Sequence, residues 1–363
     1  MSVDVIIPTF NRLSNLQLVL AALARQSVND FEVVVADDGS VDGTRQAVEA
    51  LMNEDIWRRR LRWVGCGVNQ GMRPARTRNI GAANLPASCT FMVMLDSDSL
   101  IEEHTIERFA TLHQRHPRAV IMGMTEWLPP LSYSEIERIQ HEQGTQALRS
   151  LVPAGPPHRV EGTFVGPELR MELEGNLFTD QTDDLRRLRP EWSLPLNSGY
   201  PLELFRELGG FDEGMVGYGY EDIELGVRAY NSEVQCLLYS EIWSLHIWHA
   251  KVDPQLRSFE NQKNLDYLLR KHGAHEVLER EIDWAYWRHY HRQRGGRVIM
   301  VEGTLWAINQ VGTHRLRLPK IEWVERLGFF LVQEVQQLEQ REIEAAADMG
   351  TAAETAADES DQG

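Results

Sequence analysis

The chain has 363 residues, of which 42% are hydrophobic and 25% are charged, values that are ordinary for a soluble globular protein. Its formal net charge of −17 disfavours non-specific binding to nucleic acid or anionic lipid, which carry charge of the same sign. The scattered Cys66, Cys89 and Cys236, with no signal-peptide pattern and no apolar run of the ~18 residues that span a membrane, predict a soluble protein of the cytoplasm.

The first 125 residues alternate apolar strands with helices. Strands are predicted at 3–10, 31–40, 61–65 and 91–95, and helices at 14–26, 44–51 and 74–85. Ser14 followed by Gln17 is typical of a capping box at the start of the first helix. Strands without polar alternation, each followed by a helix, indicate an α/β fold with a mostly parallel sheet flanked by helices.

The rest of the chain is less uniform. Residues 126–194 are irregular and rich in proline, glycine and charge, and long segments of this kind are commonly functional. Regularity returns at 195–272, with a glycine-rich loop, two helices, a strand and a further helix. Residues 273–347 are predicted to form a helical extension that ends in a long amphipathic helix at 320–347, and 348–363 an acidic, disordered tail.

Polar residues end three of the predicted strands. They are Thr9 with Asn11, Asp37 with Asp38, and Asp96 with Asp98. The carboxyl ends of parallel strands meet at one edge of a sheet, and ligands bind along that edge. We therefore expect these side chains to lie along a single rim.

Asp96 and Asp98 flank Ser97 directly after the apolar run FMVML. Side chains two residues apart in extended chain point the same way, and two close carboxylates repel each other unless a cation binds. Oxygen ligands suit Mg²⁺ and Mn²⁺, ions that bridge protein carboxylates and a diphosphate. The alternative is that Asp98 or Ser99 caps a helix through EEHTIERFATLHQ.

Two further motifs also allow a structural and a functional interpretation. The DDGS segment that contains Asp38 either forms only a turn, or its carboxylate accepts a hydrogen bond from a ribose hydroxyl or from an N–H of a nucleotide base. Arg73, Arg76 and Arg78 either form a solvated helix face or contact phosphate near a helix N-terminus.

Two carboxylates and two histidines lie further along the chain. Glu221 and Asp222 follow the glycine-rich loop at a predicted helix start, where they either favour the helix dipole or supply a general base that stays ionised. His246 and His249 follow a β-rich run and are either structural or complete a metal site.

Taken in order, these motifs resemble those of the GT-A nucleotide-sugar glycosyltransferases. The likeness is to the family 2 group, including its galactosyltransferase-like and chondroitin-polymerase-like members, and rests on IIPTFNR, VVVADDGSVDGT, LDSD, GGFDE…GYGYEDIELGVR and WH. It covers about residues 3–125 and 195–270. It implies a Rossmann-like GT-A fold in which 1–125 binds the nucleotide sugar, 126–194 lies on the acceptor side and 195–272 carries the catalytic base.

The resemblance also implies roles for individual residues. Donor-binding residues would be Pro8, Thr9, Asn11, Asp38, Arg73, Arg78, Asp96 and Ser97. Asp98 would be the firmest metal ligand, joined by Asp96 and by His249, with His246 as the alternative to His249. Asp222 would be the catalytic base and Glu221 an acceptor contact.

The activity implied is inverting, metal-dependent transfer of a hexose or N-acetylhexosamine from a nucleotide-diphosphate sugar, most simply a UDP-sugar, with Mn²⁺ or Mg²⁺. The acceptor stays open among a glycan, a peptide, a lipid-linked sugar and a small molecule, and no nucleic-acid partner is expected. The GYGY segment carries tyrosine where the galactosyltransferases usually carry tryptophan, which leaves donor and acceptor preference open.

Three other functions remain as alternatives. Retaining polypeptide-type glycosyltransferases carry D-x-H and E-N where this chain carries DSD and ED. Sugar nucleotidyltransferases have a basic, glycine-rich phosphate loop near the N-terminus, which PTFNRLSNL does not resemble. A catalytically degenerate binding or scaffold protein is the third, and a homo-oligomer formed through the 320–347 helix is a possible assembly in any of these cases.

Overall fold

The computed structural model describes residues 2–67, 71–153, 158–160, 163–165, 185–249, 254–272, 297–301, 304–309 and 312–315. The chain divides into two compact units, Met1–Gly273 and Ala274–Gly363. No helix within these described ranges is both long and apolar enough to cross a membrane.

Strands and helices alternate through the first hundred residues. The strands are β1 (Ser2–Thr9), β2 (Val33–Asp37), β3 (Leu61–Gly65) and β4 (Cys89–Leu95), and the helices are α1 (Leu13–Ala24), α2 (Thr44–Leu51) and α3 (Pro74–Ala83). The predicted order of elements is confirmed.

The predicted capping box at the start of α1 is wrong. The helix begins at Leu13, so Ser14 lies inside it, and the N-cap residue Arg12 makes no side-chain capping hydrogen bond within the described structure. Instead, the Leu13 N–H donates to Asp42 Oδ2 at 2.9 Å. A carboxylate from a distant loop thus takes the role that the local sequence pattern assigned to a serine.

The second part of the first unit contains more regular structure than the sequence predicted. Its strands are β5 (Ser99–Ile101), β6 (Val120–Trp127), β7 (His158–Val160), β8 (Thr163–Val165), β9 (Arg186–Arg187), β10 (Asn197–Pro201) and β11 (Gln235–His246). Its helices are α4 (Thr105–Arg115), α5 (Tyr133–Gln143), α6 (Thr145–Arg149), α7 (Leu202–Glu207), α8 (Glu221–Asn231) and α9 (Pro254–His272).

Helices α5 and α6 lie in the segment 126–194 that we predicted to be irregular. A capping box starts α5, because the Ser132 side chain accepts from the Glu135 N–H while Glu135 accepts from the Ser132 N–H. The S-x-x-E pattern that specifies this helix start is present in the sequence, but the surrounding prolines obscured it.

One large sheet organises the first unit, with strand order β3-β2-β1-β4-β10-β6-β11-β5 and β9 paired with β11. The pairings β1–β2, β2–β3, β1–β4 and β6–β11 are parallel, and β10 is antiparallel to both of its neighbours. Most strands therefore run in one direction, and helices flank the sheet, which confirms the predicted α/β fold. Every residue of β2 is buried, as expected for a strand covered on both faces.

The second unit contains described strands rather than helices. These are β12 (Arg297–Val301), β13 (Thr304–Asn309) and β14 (Gly312–Arg315), which form an antiparallel sheet. This differs from the predicted helical extension 273–347, because RVIMV and TLWAIN are rich in β-branched and aromatic residues that favour strands. The predicted helix at 320–347 and the tail at 348–363 lie outside the described residues.

Candidate active site

The carboxyl ends of β1, β2, β4 and β11 bring the predicted rim residues to one edge of the sheet. After β4 the chain turns at Asp96–Asp98 and enters β5, which pairs with the end of β11 so that Ser99 lies opposite His246. The Ile247 N–H donates to the Asp98 carbonyl oxygen at 2.8 Å. This pairing places Asp98 beside the two histidines that end β11, although they are about 150 residues apart in sequence.

Asp98, His246 and His249 form a compact group of possible metal ligands. One ligand atom from each lies within 4.8 Å of the other two. His249 Nε2 is 3.1 Å from Asp98 Oδ2, and His246 Nε2 is 3.7 Å from Asp98 Oδ1. Asp98 Oδ1 is buried and has no hydrogen-bond partner among the described residues, so it is available to a cation.

The charge state of Asp98 suits this role. Burial opposes ionisation, but His246, His249 and Arg12 more than offset it and lower the pKa of Asp98 to about 2. The carboxylate is therefore ionised at neutral pH. The helix-cap interpretation is excluded by position, because α4 begins only at Thr105, with His104 as its N-cap, and Ser99 lies in β5.

Asp96 points to a different partner. Its Oδ1 accepts from Arg78 Nη2 at 2.8 Å, while Arg78 Nη1 donates to Glu221 Oε1 at 2.9 Å. Burial alone would lower the pKa of Arg78, but the two carboxylates raise it above its ordinary value. Arg78 is thus a buried bridge between the D-S-D turn and the start of α8, and Asp96 lies outside the Asp98–histidine group.

Glu221 and Asp222 occupy different environments at the start of α8. Glu221 is buried against Arg78, and Glu221 Oε2 has no hydrogen-bond partner within the described part of the chain. Asp222 is only partly buried, and its Oδ1 accepts from the Ile223 N–H at 2.8 Å. Burial and, after it, repulsion from Glu221 raise the pKa of Asp222 to about 7.

This value changes the expectation for Asp222. We predicted a base that stays fully ionised, yet a carboxyl group with a pKa near 7 is partly protonated at neutral pH. Such a group accepts a proton more readily than an ordinary aspartate does. Among the two carboxylates, Asp222 therefore fits the role of general base, while Glu221 is committed to Arg78.

The two aspartates of DDGS divide the roles that the sequence left open. Asp37 forms the turn, because its Oδ1 accepts from the Ser40 N–H at 2.8 Å and its Oδ2 from Trp63 Nε1 at 3.1 Å. Asp38 faces α3 instead, where its Oδ2 accepts from the Arg73 N–H at 2.7 Å. Burial raises the pKa of Asp38, although Arg73 acts to lower it.

The loops after β1 and β2 are tied to each other. The Asn11 N–H donates to Ser40 Oγ at 2.8 Å, and the Val41 N–H donates to Asn11 Oδ1 at 2.8 Å. Asn11 adopts a left-handed conformation with φ 51°, a backbone region in which asparagine is enriched. Thr9 is buried beside them, and its Oγ1 has no partner among residues that the structure describes.

The remaining predicted donor residues lie along the same edge. Pro8 is partly buried near the end of β1, and Ser97 is buried in the turn between Asp96 and Asp98. Arg73 is paired with Asp38, with 3.4 Å between Arg73 Nη2 and Asp38 Oδ1. The structure therefore brings the predicted nucleotide-binding residues, at β1, β2 and α3, to the same edge as the predicted metal ligands and base, at β4, β11 and α8.

Three residues of this region have no assigned role in the sequence motifs: Arg12, Glu260 and Asn264. Arg12 lowers the pKa of Asp98 through its positive charge. It is the last residue of the motif IIPTFNR, so the sequence offered a signal for it. Glu260 and Asn264 of α9 contact the glycine-rich loop that precedes Asp222. No local motif marks these α9 residues, because their contacts depend on how a distant helix packs.

Comparison with known proteins identifies relatives of known activity. Residues 4–143 match the family model described as glycosyl transferase family 2. Validoxylamine A glucosyltransferase of Streptomyces hygroscopicus subsp. jinggangensis is 32% identical over 287 residues, which are 78% of this chain and 63% of that protein. Chondroitin synthase of Pasteurella multocida is 27% identical over 241 residues, which are 62% of this chain and 23% of that protein. The chain spans less than two thirds of either relative.

A solved structure shares the fold at low sequence identity. The crystal structure of GalNAc-T7 with UDP, GalNAc and Mn²⁺ matches with a TM-score of 0.51 and 14% identity, over 74% of this chain and 48% of that chain. This likeness in fold supports the α/β architecture described above.

Proposed function

We propose that the chain, whose residues 4–143 match the model of glycosyl transferase family 2, transfers a sugar from a nucleotide-diphosphate donor to an acceptor nucleophile, with inversion at the anomeric carbon. The observation that carries the proposal is the placement of a candidate cation site, Asp98 with His246 and His249, on the same edge as a carboxylate base, Asp222. Arg78 joins the two sides through Asp96 and Glu221.

Asp98, His246 and His249 would hold a divalent cation. When bound, the cation would neutralise the diphosphate leaving group. A carboxylate oxygen together with two imidazole nitrogens favours Mn²⁺ over Mg²⁺, because Mg²⁺ prefers an all-oxygen shell. The buried, unpartnered Asp98 Oδ1 supports this assignment within the described residues.

We assign the nucleotide to the edge formed by β1, β2 and the start of α3. Thr9 Oγ1, which lacks a partner in the described structure, and the buried carboxylate of Asp38 offer polar atoms to a base or ribose. The GalNAc-T7 structure of similar fold contains UDP and Mn²⁺, and the glucosyltransferase relative points to a hexosyl donor. UDP-glucose is therefore the first donor to test.

Transfer needs a proton acceptor on the acceptor side. Asp222 would remove the proton from the acceptor hydroxyl while the acceptor oxygen forms a bond to the anomeric carbon. The bond between the anomeric carbon and the diphosphate oxygen would break, and its electron pair would leave with the diphosphate. The anomeric carbon gains oxocarbenium character as in other glycosyl chemistry. Attack by the deprotonated acceptor from the face opposite the leaving group would invert the configuration at the anomeric carbon.

Activity of the purified protein tests this proposal. We would incubate it with UDP-glucose, UDP-galactose, UDP-GlcNAc and UDP-GalNAc in Mn²⁺, Mg²⁺ or EDTA, and measure UDP release with and without candidate acceptors. We expect UDP release with at least one donor in Mn²⁺ and none in EDTA. No turnover with any donor, together with an unchanged melting temperature on adding UDP and Mn²⁺, would overturn the proposal.

A further inference from the structure

Helix α9 makes direct contact with the glycine-rich loop that leads to Asp222. Glu260 Oε2 accepts from the Tyr218 N–H at 3.0 Å. Asn264 Nδ2 donates to the Gly219 carbonyl oxygen at 2.8 Å. The two side chains are four residues apart, so they lie on one face of the helix and hold consecutive residues of the loop.

The loop approaches α9 too closely for side chains. A Cβ on Gly217 would lie 2.5 Å from Glu260 Cδ, and one on Gly219 would collide with Asn261 Oδ1. Both glycines also have positive φ, 89° and 98°, which other residues adopt at a cost. The glycine-rich sequence is therefore explained by contact with α9, and not only by freedom of movement.

The loop ends in a strained residue next to the candidate base. Tyr220 is the N-cap of α8 and has φ 69°, a left-handed conformation that is unfavourable for a residue with a side chain. Such a conformation persists when neighbouring contacts impose it. The hydrogen bond from Asn264 to Gly219 fixes the peptide group immediately before Tyr220, and Glu221 and Asp222 follow directly.

The C-terminal end of α9 holds the same region from the other side. Glu224 of α8 is fully buried and pairs with Lys271 Nζ at 2.8 Å and His272 Nε2 at 2.9 Å. Lys271 also bridges to Asp212 at 2.6 Å, in the turn that opens the glycine-rich loop. Helix α9 thus anchors both the loop and the helix that carries Asp222.

Asn264 itself is suited to a fixed position. Its side chain is 1% exposed, so its single described hydrogen bond forms away from competing water. Without the Asn264 side chain, the Gly219 carbonyl oxygen would lose this hydrogen bond, and no other described residue of α9 donates to that oxygen.

We propose that Glu260 and Asn264 are positioning residues, which set the conformation of the loop Tyr218–Tyr220 and thereby direct the Asp222 carboxylate toward the acceptor. The inference rests on the proposed role of Asp222 as the base. It assigns a function to a helix that matches no motif of the sequence analysis.

The test compares Asn264→Ala, Glu260→Ala and the conservative Glu260→Gln, with Lys263→Ala as the matched control on an exposed position of the same helix. We expect kcat to fall roughly 10- to 100-fold in Asn264→Ala and Glu260→Ala, the two loss variants, because the catalytic carboxylate would be misplaced. The donor KM should change less than about twofold. Glu260→Gln keeps an oxygen acceptor for the Tyr218 N–H and should recover most of the activity.

Hydrogen exchange of the peptide 214–224 supplies a readout that does not require activity. We expect faster exchange in Glu260→Ala and Asn264→Ala, and wild-type exchange in Lys263→Ala, at unchanged melting temperature. Wild-type kcat and wild-type exchange in both loss variants would overturn the positioning role. If the wild type has no transferase activity but the two alanine variants still exchange faster than it does, only the proposed transferase function would be contradicted. If donor binding and kcat fall by the same factor in the variants, the positioning role would be contradicted.

Discussion

At the scale of single residues, burial determines which of two adjacent carboxylates is chemically useful. Glu221 and Asp222 share a helix start, yet Glu221 is committed to a buried arginine and Asp222 is not. Burial and, after it, the charge of Glu221 also raise the pKa of Asp222. A sequence motif names both residues equally, and only their surroundings separate them.

The pH dependence of transfer follows from Asp222. A general base acts when it is deprotonated, so kcat/KM should rise as pH increases through about 7, the value to which burial and Glu221 raise the pKa of Asp222. An ordinary aspartate would place this rise near pH 4. Initial rates between pH 5 and 9 with saturating Mn²⁺ provide the measurement.

Substitution of the same residue checks the assignment. Asp222→Asn should abolish the rise and lower kcat by 10²-fold or more, as removal of a general base commonly does, while UDP affinity stays unchanged. Asp55→Asn, at a side chain that is 94% exposed, is the control and should keep the wild-type profile. Near-normal transfer by Asp222→Asn would show that another group takes the proton.

At the scale of secondary-structure elements, much of the architecture was predictable. The strand and helix order through α3 follows from apolar runs and their spacing, which act locally. The insertion of antiparallel β10 between β4 and β6, and the pairing of the short β5 with β11, depend on distant contacts that no local pattern reports. For that reason the metal ligands predicted from the sequence were Asp98, Asp96 and His249, with His246 as an alternative to His249. In the structure both histidines lie beside Asp98, and Asp96 is paired with Arg78.

The bridge made by Arg78 joins three elements, so its loss should be costly. Arg78→Met leaves the buried Glu221 and the partly buried Asp96 without their cation, which should lower the free energy of unfolding by about 3–5 kcal/mol. Urea unfolding measures this change. The control Arg138→Met removes an exposed pair with Glu142 and should cost less than about 1 kcal/mol. Equal effects of the two substitutions would show that the bridge contributes nothing beyond a surface pair.

At the scale of the whole molecule, stability should respond to one buried histidine. His113 stacks on Phe91 with ring centroids 4.5 Å apart, and its Nδ1 has no hydrogen-bond partner in the described part of the chain. Burial lowers the pKa of His113 below its ordinary value of 6.5. The unfolded chain therefore binds a proton before the folded one does, and stability falls as pH decreases below about 6.5.

Urea midpoints at pH 7.5 and pH 5 test this contribution. His113→Phe keeps a ring against Phe91 but does not titrate, so it should lose less stability than the wild type over this interval. The other titrating groups are common to both proteins and cancel in the comparison. An identical loss in the two proteins would show that His113 does not contribute to acid sensitivity.

Most of the candidate donor residues lie at the ends of strands, whereas the candidate base Asp222 lies at the start of helix α8. The proposed reaction requires both groups. The match of residues 4–143 to glycosyl transferase family 2 supports the proposed class of reaction, and the geometry of the edge supplies a candidate residue for each step. The proposed function requires that the chain bind a nucleotide in a cation-dependent way.

Calorimetric titration of UDP in the presence of Mn²⁺, for the wild type and for Asp98→Ala, tests this dependence most directly. We expect the wild type to bind UDP only when Mn²⁺ is present, and Asp98→Ala to lose that binding by 10²-fold or more, because it removes the ionised carboxylate of the Asp98–His246–His249 group. The exposed Asp30→Ala should behave as wild type. Unaltered Mn²⁺-dependent UDP affinity in Asp98→Ala would contradict the assignment of this edge as a metal-dependent donor site.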